Sequence, residues 1–133
     1  MRLQLATLIL CVLLGACATT RRDLDRTVAE FDEAQYESAR AWLIALEPDL
    51  ASMSNQERTE FCYLRGMTEL RLGARDEGLH WLRLAKASTV ERDVTLRTEW
   101  QRVLDRSLAE LSPETATHHA RASLAQPETT STR

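Results

Sequence analysis

The sequence predicts an all-α protein built from antiparallel helical hairpins, and three observations carry that prediction. Only four glycines and three prolines occur in 133 residues, with 44% hydrophobic and 28% charged residues, a composition that suits one helical globular domain. Apolar residues through the middle of the chain recur three and four positions apart, the period of a helix with one buried face. Laying the chain on itself so that Glu30 falls on Glu69 also places Phe31 on Leu70, Ala39 on Gly78, Trp42 on Trp81, Leu43 on Leu82 and Leu46 on Ala85. One hairpin design is therefore used twice.

Residues 1–16 come before that domain and read as an address. Met1 and Arg2 form a short positive end, Leu3 to Leu14 an apolar stretch, and Gly15 and Ala16 a pair of small residues, the pattern of a secretory signal peptide. The apolar stretch is shorter than the roughly 20 residues that span a bilayer as a helix. Residues 17–22 read as a polar tether and residues 23–111 as the helical domain. In the first helix Leu24, Val28 and Phe31 share a face, and in the second Ala39, Leu43 and Leu46 do so. Pro48 ends the second helix, because proline lacks a backbone donor and disfavours helix in the residue before it.

Ser54-Asn55-Gln56-Glu57 has the spacing of a capping box and opens the third helix. Its stripe runs Phe61, Leu64, Met67, Leu70 and ends at Gly73, a residue suited to a helix C-terminus. The fourth helix is expected over about Arg75 to Ala87, with Leu79, Leu82 and Ala85 inward. Ser88-Thr89-Val90-Glu91 repeats the capping-box spacing, so the fifth helix is expected to start there and run toward Leu111. Its apolar side holds Leu96, Trp100, Val103, Leu104, Leu108 and Leu111. From Ser112-Pro113 the composition turns to Thr, Ser, Ala and Pro. Residues 112–133 are expected to be a disordered tail, since they carry too little apolar area to offset ordering entropy, with a short helix over Glu114 to Leu124 as the alternative.

The chemistry is sparse. A formal charge of −3 gives no basic footprint, and nucleic acid is excluded as an expected partner. The chain has no glycine-rich phosphate loop, no G-x-S-x-G elbow, no H-E-x-x-H and no paired-cysteine metal site, so it reads as not an enzyme, with no metal and no cofactor. His118 and His119 are adjacent and project apart on a helix, which suits solvent better than a metal. Cys11 falls in the leader, which leaves Cys62 between Phe61 and Tyr63 as a small buried hydrophobe. Trp42 and Trp81, equivalent in the two hairpins, each lie beside an inward leucine and read as packing residues.

Leu14-Gly15-Ala16-Cys17 resembles the lipobox of bacterial lipoproteins. The resemblance implies cleavage before Cys17, a diacylglycerol on its thiol and an acyl chain on the new amino terminus, which together anchor a protein stably where one chain does not. Ala18, where an aspartate would favour retention in the inner membrane, implies the outer membrane, with the protein facing the periplasm. The thiol of Cys17 is then occupied, and Cys62 is the only free thiol of the mature chain.

"YLRGMTELRLGARDEGLHWLRLAKA" resembles a tetratricopeptide repeat through Gly66, Gly73, Gly78, Leu82 and Ala85, and "EFDEAQYESARAWLIAL" resembles the second half of one through Tyr36, Ala39, Leu43 and Leu46. Glu69 departs from the aromatic expected at its position, and Val90 stands where a proline is common. The interval from Glu30 to Glu69 also exceeds the usual repeat length of about 34 residues. The implied fold is about two such repeats plus a C-terminal capping helix. A plain α-hairpin bundle shares the helices without the groove. In the repeat fold the first helix of each hairpin lines a concave protein-binding surface. That implies a groove of Leu24, Val28, Asp32, Tyr63, Met67, Arg71, Arg97, Gln101 and Asp105, with Arg71 and Arg97 placed to clamp a carboxylate. The function expected is a noncatalytic adaptor or assembly factor for an envelope machine such as a pilus, a secretion system or outer-membrane assembly. The alternative is an accessory regulator of a periplasmic cell-wall enzyme. So short a groove makes a second copy of the chain a candidate neighbour.

Overall fold

The computed structural model describes residues 19–92 and 94–111, and every regular element among them is helical. The expected signal peptide, Cys17, the tail and the histidine pair lie outside the described residues. Helix α1 occupies residues 19–32, α2 Tyr36–Leu46 and α3 Asn55–Arg71, with a 3₁₀ turn at Glu47–Ala51 between the last two. Helices α4, Arg75–Glu91, and α5, Thr98–Leu111, complete the domain.

Each helix ends for a local reason. Pro48 sits in the first turn of the 3₁₀ element, where its missing N–H costs nothing. Ser54 caps α3 by accepting from the Glu57 N–H, and the Glu57 carboxylate accepts from the Ser54 N–H at 3.0 Å. Both hairpin turns are Schellman motifs built alike. After α1, the Ala34 N–H reaches Phe31 O and the Gln35 N–H reaches Glu30 O. After α3, the Gly73 N–H reaches Leu70 O and the Ala74 N–H reaches Glu69 O. Every donor and acceptor of the first turn falls on its counterpart in the second by the same offset as the side chains, so the internal repeat extends to the backbone.

The turn geometry needs a left-handed residue, which is Gly73 at φ +86° in one hairpin and Ala34 at φ +60° in the other. Ala34→Gly is expected to stabilise the domain by about 0.5 kcal/mol, relief of strain partly offset by the freer unfolded chain. Gly73→Ala should cost about 1 kcal/mol from strain alone, since a Cβ there meets no atom within 4 Å. Chemical denaturation of the two variants measures both signs.

Two boundaries differ from the sequence expectation. Residues 19–22 of the expected tether are already helical, because Arg21 binds Asp25 at 2.9 Å and Glu60 of α3 at 3.1 Å, which holds the start of α1 against the start of α3. The expected cap at Ser88 is unused: α4 continues through it to Glu91, and α5 begins at Thr98. Ser88 and Thr89 are tolerated inside a helix when the hydroxyl turns back onto it, and Thr89 Oγ1 donates to Lys86 O at 2.8 Å.

Helices α3 and α4 form the tightest contact and approach most closely at their glycines. A Cβ on Gly66 would lie 2.7 Å from Leu82 Cγ, and one on Gly78 would lie 2.9 Å from the Gly66 carbonyl oxygen. Around this crossing the core collects Leu24, Val28, Leu43, Phe61, Tyr63, Leu64, Met67, Trp81, Leu82, Trp100 and Leu104. Trp81 meets Phe61 edge-on at 5.7 Å and donates its indole N–H to Glu77 at 2.7 Å.

A charge lies inside this core. Glu69 is fully buried and holds Arg40 of α2 at 3.0 Å and Arg65 of its own helix at 3.0 Å. The contact with Arg65 is electrostatic and poorly aligned, since Arg65 Nε, Arg65 Nη1 and Glu69 Oε2 have no hydrogen-bond partner among the described residues. Arg65 lies over the Trp81 ring at 5.8 Å and reaches Glu47 at 3.8 Å. The first hairpin repeats the arrangement at equivalent positions: Arg26 lies over Trp42 at 4.6 Å and pairs with Glu30 at 3.9 Å. There Arg26 is exposed, because no described helix precedes α1 as α2 precedes α3.

Candidate binding groove between the third and fifth helices

Helix α5 is amphipathic, with Trp100 and Leu104 buried and Val103, Leu108 and Leu111 packed against the core. Trp100 stacks on Tyr63 at 4.7 Å with 19° between the rings. The Ser107 hydroxyl lies 3.9 Å from the Met67 sulfur, so α5 runs parallel to α3 and is fixed against it at two levels. Past Met67 the two helices leave a depression of about 410 Å³, lined by Met67, Leu70 and Arg71 on α3 and Val103, Arg106, Ser107 and Glu110 on α5. Its lining is mixed: Met67, Leu70 and Val103 are apolar, Ser107 and Glu110 polar, and each helix contributes one guanidinium, from Arg71 and from Arg106. Neither Arg71 nor Arg106 forms an ion pair with another described residue. A cleft of mixed apolar and charged side chains offers packing surface and charge-assisted contacts to a ligand.

The residues expected to line a groove separate into three sets. Leu24, Val28, Tyr63 and Met67 are buried, a correction with a plain cause: α5 covers α3, and Leu24 and Val28 join the same core. Only Met67 of these still touches the groove. Arg71 lines it and Asp32 is exposed at the end of α1. Arg97, Gln101 and Asp105 lie outside this depression, with Arg97 and Asp105 exposed. Arg97 precedes α5 and lies over the Trp100 ring at 4.4 Å. Asp105 accepts from Lys86 of α4 at 2.8 Å and from Gln101 at 3.2 Å, which turns that side of α5 toward α4. The arginine that shares this depression with Arg71 is Arg106.

Sequence reasoning misses Val103, Arg106, Ser107 and Glu110 as groove residues because it starts α5 near Glu91 rather than at Thr98. Arg97 then lies just before α5, while Gln101 and Asp105 are within it on the side turned toward α4. The stacked Trp100 and the buried Leu104 are the signal that could have found them, since residues three and seven beyond Trp100 share its flank.

Burial pushes the Tyr63 phenol up from 10 to about 12, opposed by Arg71 and assisted by Asp32 and Glu99. It remains neutral at ordinary pH and works as a packing ring. A second depression of about 220 Å³ on another face is lined by Leu50, Arg58, Cys62, Trp81, Leu84 and Ser88, among others. Burial pushes the Cys62 thiol from 9 up to about 11, the reverse of an activated nucleophile. Iodoacetamide at pH 8 is expected to modify Cys62 only after denaturation, which mass spectrometry reads directly. Both raised groups act with one sign: the fold holds their neutral forms, so their contribution is complete below the unfolded pKa values. It declines as pH rises, through about 9 to 11 for Cys62 and about 10 to 12 for Tyr63.

Among the described residues no group of three or more His, Cys, Asp or Glu is placed to hold a metal, and no helix is long and apolar enough to cross a membrane. Compared with protein-family models, curated proteins and solved structures, the chain matches none.

Proposed function

We propose that this protein is a noncatalytic adaptor, held at the outer membrane by lipid on Cys17 and facing the periplasm, that binds a component of an envelope machine. The observation that carries the reading is the groove between α3 and α5, where Met67, Leu70 and Val103 lie beside the exposed guanidiniums of Arg71 and Arg106, neither with an ion-pair partner among the described residues. The Leu14-Gly15-Ala16-Cys17 motif supports the location, and tethering would act by raising a partner's effective concentration at the membrane. The hairpins, with their tetratricopeptide-like glycines, supply a rigid support for the groove.

A photoreactive amino acid at Ser107, followed by identification of what crosslinks in cells, tests the adaptor. The expected result is one envelope protein that disappears with Arg71→Glu/Arg106→Glu while the variant stays folded. Crosslinking unchanged by the double variant sinks the groove as the functional surface. A crosslinked cell-wall hydrolase or synthase whose turnover changes with the purified protein establishes the regulator instead. Mass spectrometry of the mature amino-terminal peptide tests the anchor separately: an unmodified Cys17, or cleavage elsewhere, removes it.

A further inference from the structure

We propose that the second depression, where the 3₁₀ turn, α3 and α4 meet, binds a single-chain anionic amphiphile of the fatty-acid class, with its alkyl tail along α4 and its head on Arg58 and Arg92. The side chains lining this slot are sorted along its length. Helices α3 and α4 are antiparallel, with Asn55 beside Arg92 at one level and Gly66 beside Leu82 at another. Trp81, Leu84 and Cys62 therefore fall toward one end, and Arg58, Glu91 and Arg92 toward the other. Trp81 and Glu91 both belong to α4, and their separation along the helix is about 15 Å at a rise of about 1.5 Å per residue.

The apolar end offers surface to a hydrocarbon chain. Trp81 and Cys62 are buried, and Leu84 stays 41% exposed, with Leu50 and Ala87 also on the lining. Covering these carbons is favourable in proportion to the area removed from water. The volume of about 220 Å³ falls below the roughly 300–1,000 Å³ of sites for drug-sized ligands, which suits one alkyl chain better than a peptide element.

The other end is charged and held in place. Arg58 donates through Nε to Leu50 O at 3.0 Å and through Nη2 to Met53 O at 3.2 Å, and Arg92 donates through Nη1 to Asn55 Oδ1 at 3.0 Å. These bonds fix both guanidiniums without neutralising them, and each keeps donors for a carboxylate oxygen. Neither forms an ion pair with another described residue. Burial raises the Cys62 thiol and the charges of Arg58 and Arg92 oppose that rise, so both fields reach into the slot. Glu91 also lines this end and repels an anion, but the two guanidiniums outweigh it. A cationic head would meet two like charges there. The inference stands apart from the adaptor reading, since the slot and the groove share no lining residue.

Photolabelling of the full chain in a detergent-free lysate tests it, with decanoate carrying a diazirine on its tail as the probe and peptide mapping by mass spectrometry as the readout. Label is expected on Cys62, Leu84 or Ala87 rather than on Ile44 and Val90, which are more exposed at 50% and 71% but lie outside the slot. Excess decanoate should suppress the labelling at least about tenfold where decylammonium does not. Arg92→Glu should lower it at least about tenfold, as expected for loss of a charge-assisted contact, and Leu84→Asp should do the same. Both side chains are exposed, so both variants keep the wild-type melting curve within a few degrees. Arg71→Glu/Arg106→Glu should leave the labelling unchanged. An unlabelled slot overturns the proposal, as does label that simply follows exposure, equal competition by decylammonium, or labelling indifferent to Arg92→Glu. Labelling by vesicles of a diazirine-bearing phosphatidylglycerol but not by the free acid also overturns it, by placing a bilayer lipid in the slot.

Discussion

Glu69→Leu is expected to destabilise the domain by about 3–5 kcal/mol, the usual result of removing one member of a buried ion pair. The variant is close in volume and more apolar, so a hydrophobic ledger alone predicts a gain. The loss arises on the other side of the pair. Arg65 is itself buried and would retain only Glu47 at 3.8 Å and the Trp81 ring. Arg40, half-exposed, can turn to solvent and contributes little of the effect. For a domain of this size the fall in Tm should be at least about 12 °C.

Arg65→Met/Glu69→Leu separates charge from shape. Removing both members leaves no orphaned charge, and the double variant is expected to recover most of the loss, to within about 1 kcal/mol of wild type or above it. Thermal denaturation of the wild type, both single variants and the double variant closes the cycle. A Glu69→Leu protein as stable as wild type would show that the buried carboxylate is dispensable.

Gly66→Ala is the second large effect, expected near about 3 kcal/mol, at the upper end of overpacking costs and despite the better helix propensity of alanine. The added methyl would meet Leu82 Cδ2 and Cγ at 2.7 Å and the Leu82 backbone nitrogen at 2.9 Å. Rotation of the leucine relieves the first contacts but not the last, so α3 and α4 must separate. Gly66→Leu should abolish folding. Far-ultraviolet circular dichroism during denaturation measures both, and a Gly66→Ala protein with unchanged midpoint would mean that the two helices pack less closely than this.

The groove illustrates how local and long-range information divide. Arg71 is legible because α3 is bracketed by two strong local signals, the Ser54 cap and Gly73, which fix its phase. Arg106 is not, because α5 has no comparable start signal. Ser88 to Glu91 offer a false one, and nothing local tells which side of α5 turns toward α4. Which way α5 faces is decided by Trp100 settling on Tyr63 and by Lys86 reaching Asp105.

The sequence by itself determined the all-helical class, the hairpin repeat that carries Glu30 onto Glu69, the Ser54 cap and the close glycine crossing. All of these rest on residues near one another in the chain or on its self-similarity. Only the tertiary structure decided that Glu69, in place of an expected aromatic, is a buried carboxylate held by arginines of two helices. It alone turned Leu24, Val28 and Tyr63 into core and placed Arg106 beside Arg71. Periodicity reports which face of a helix is apolar, but not which neighbour covers it. That depends on contacts between segments far apart in the chain, whose packing no local pattern encodes.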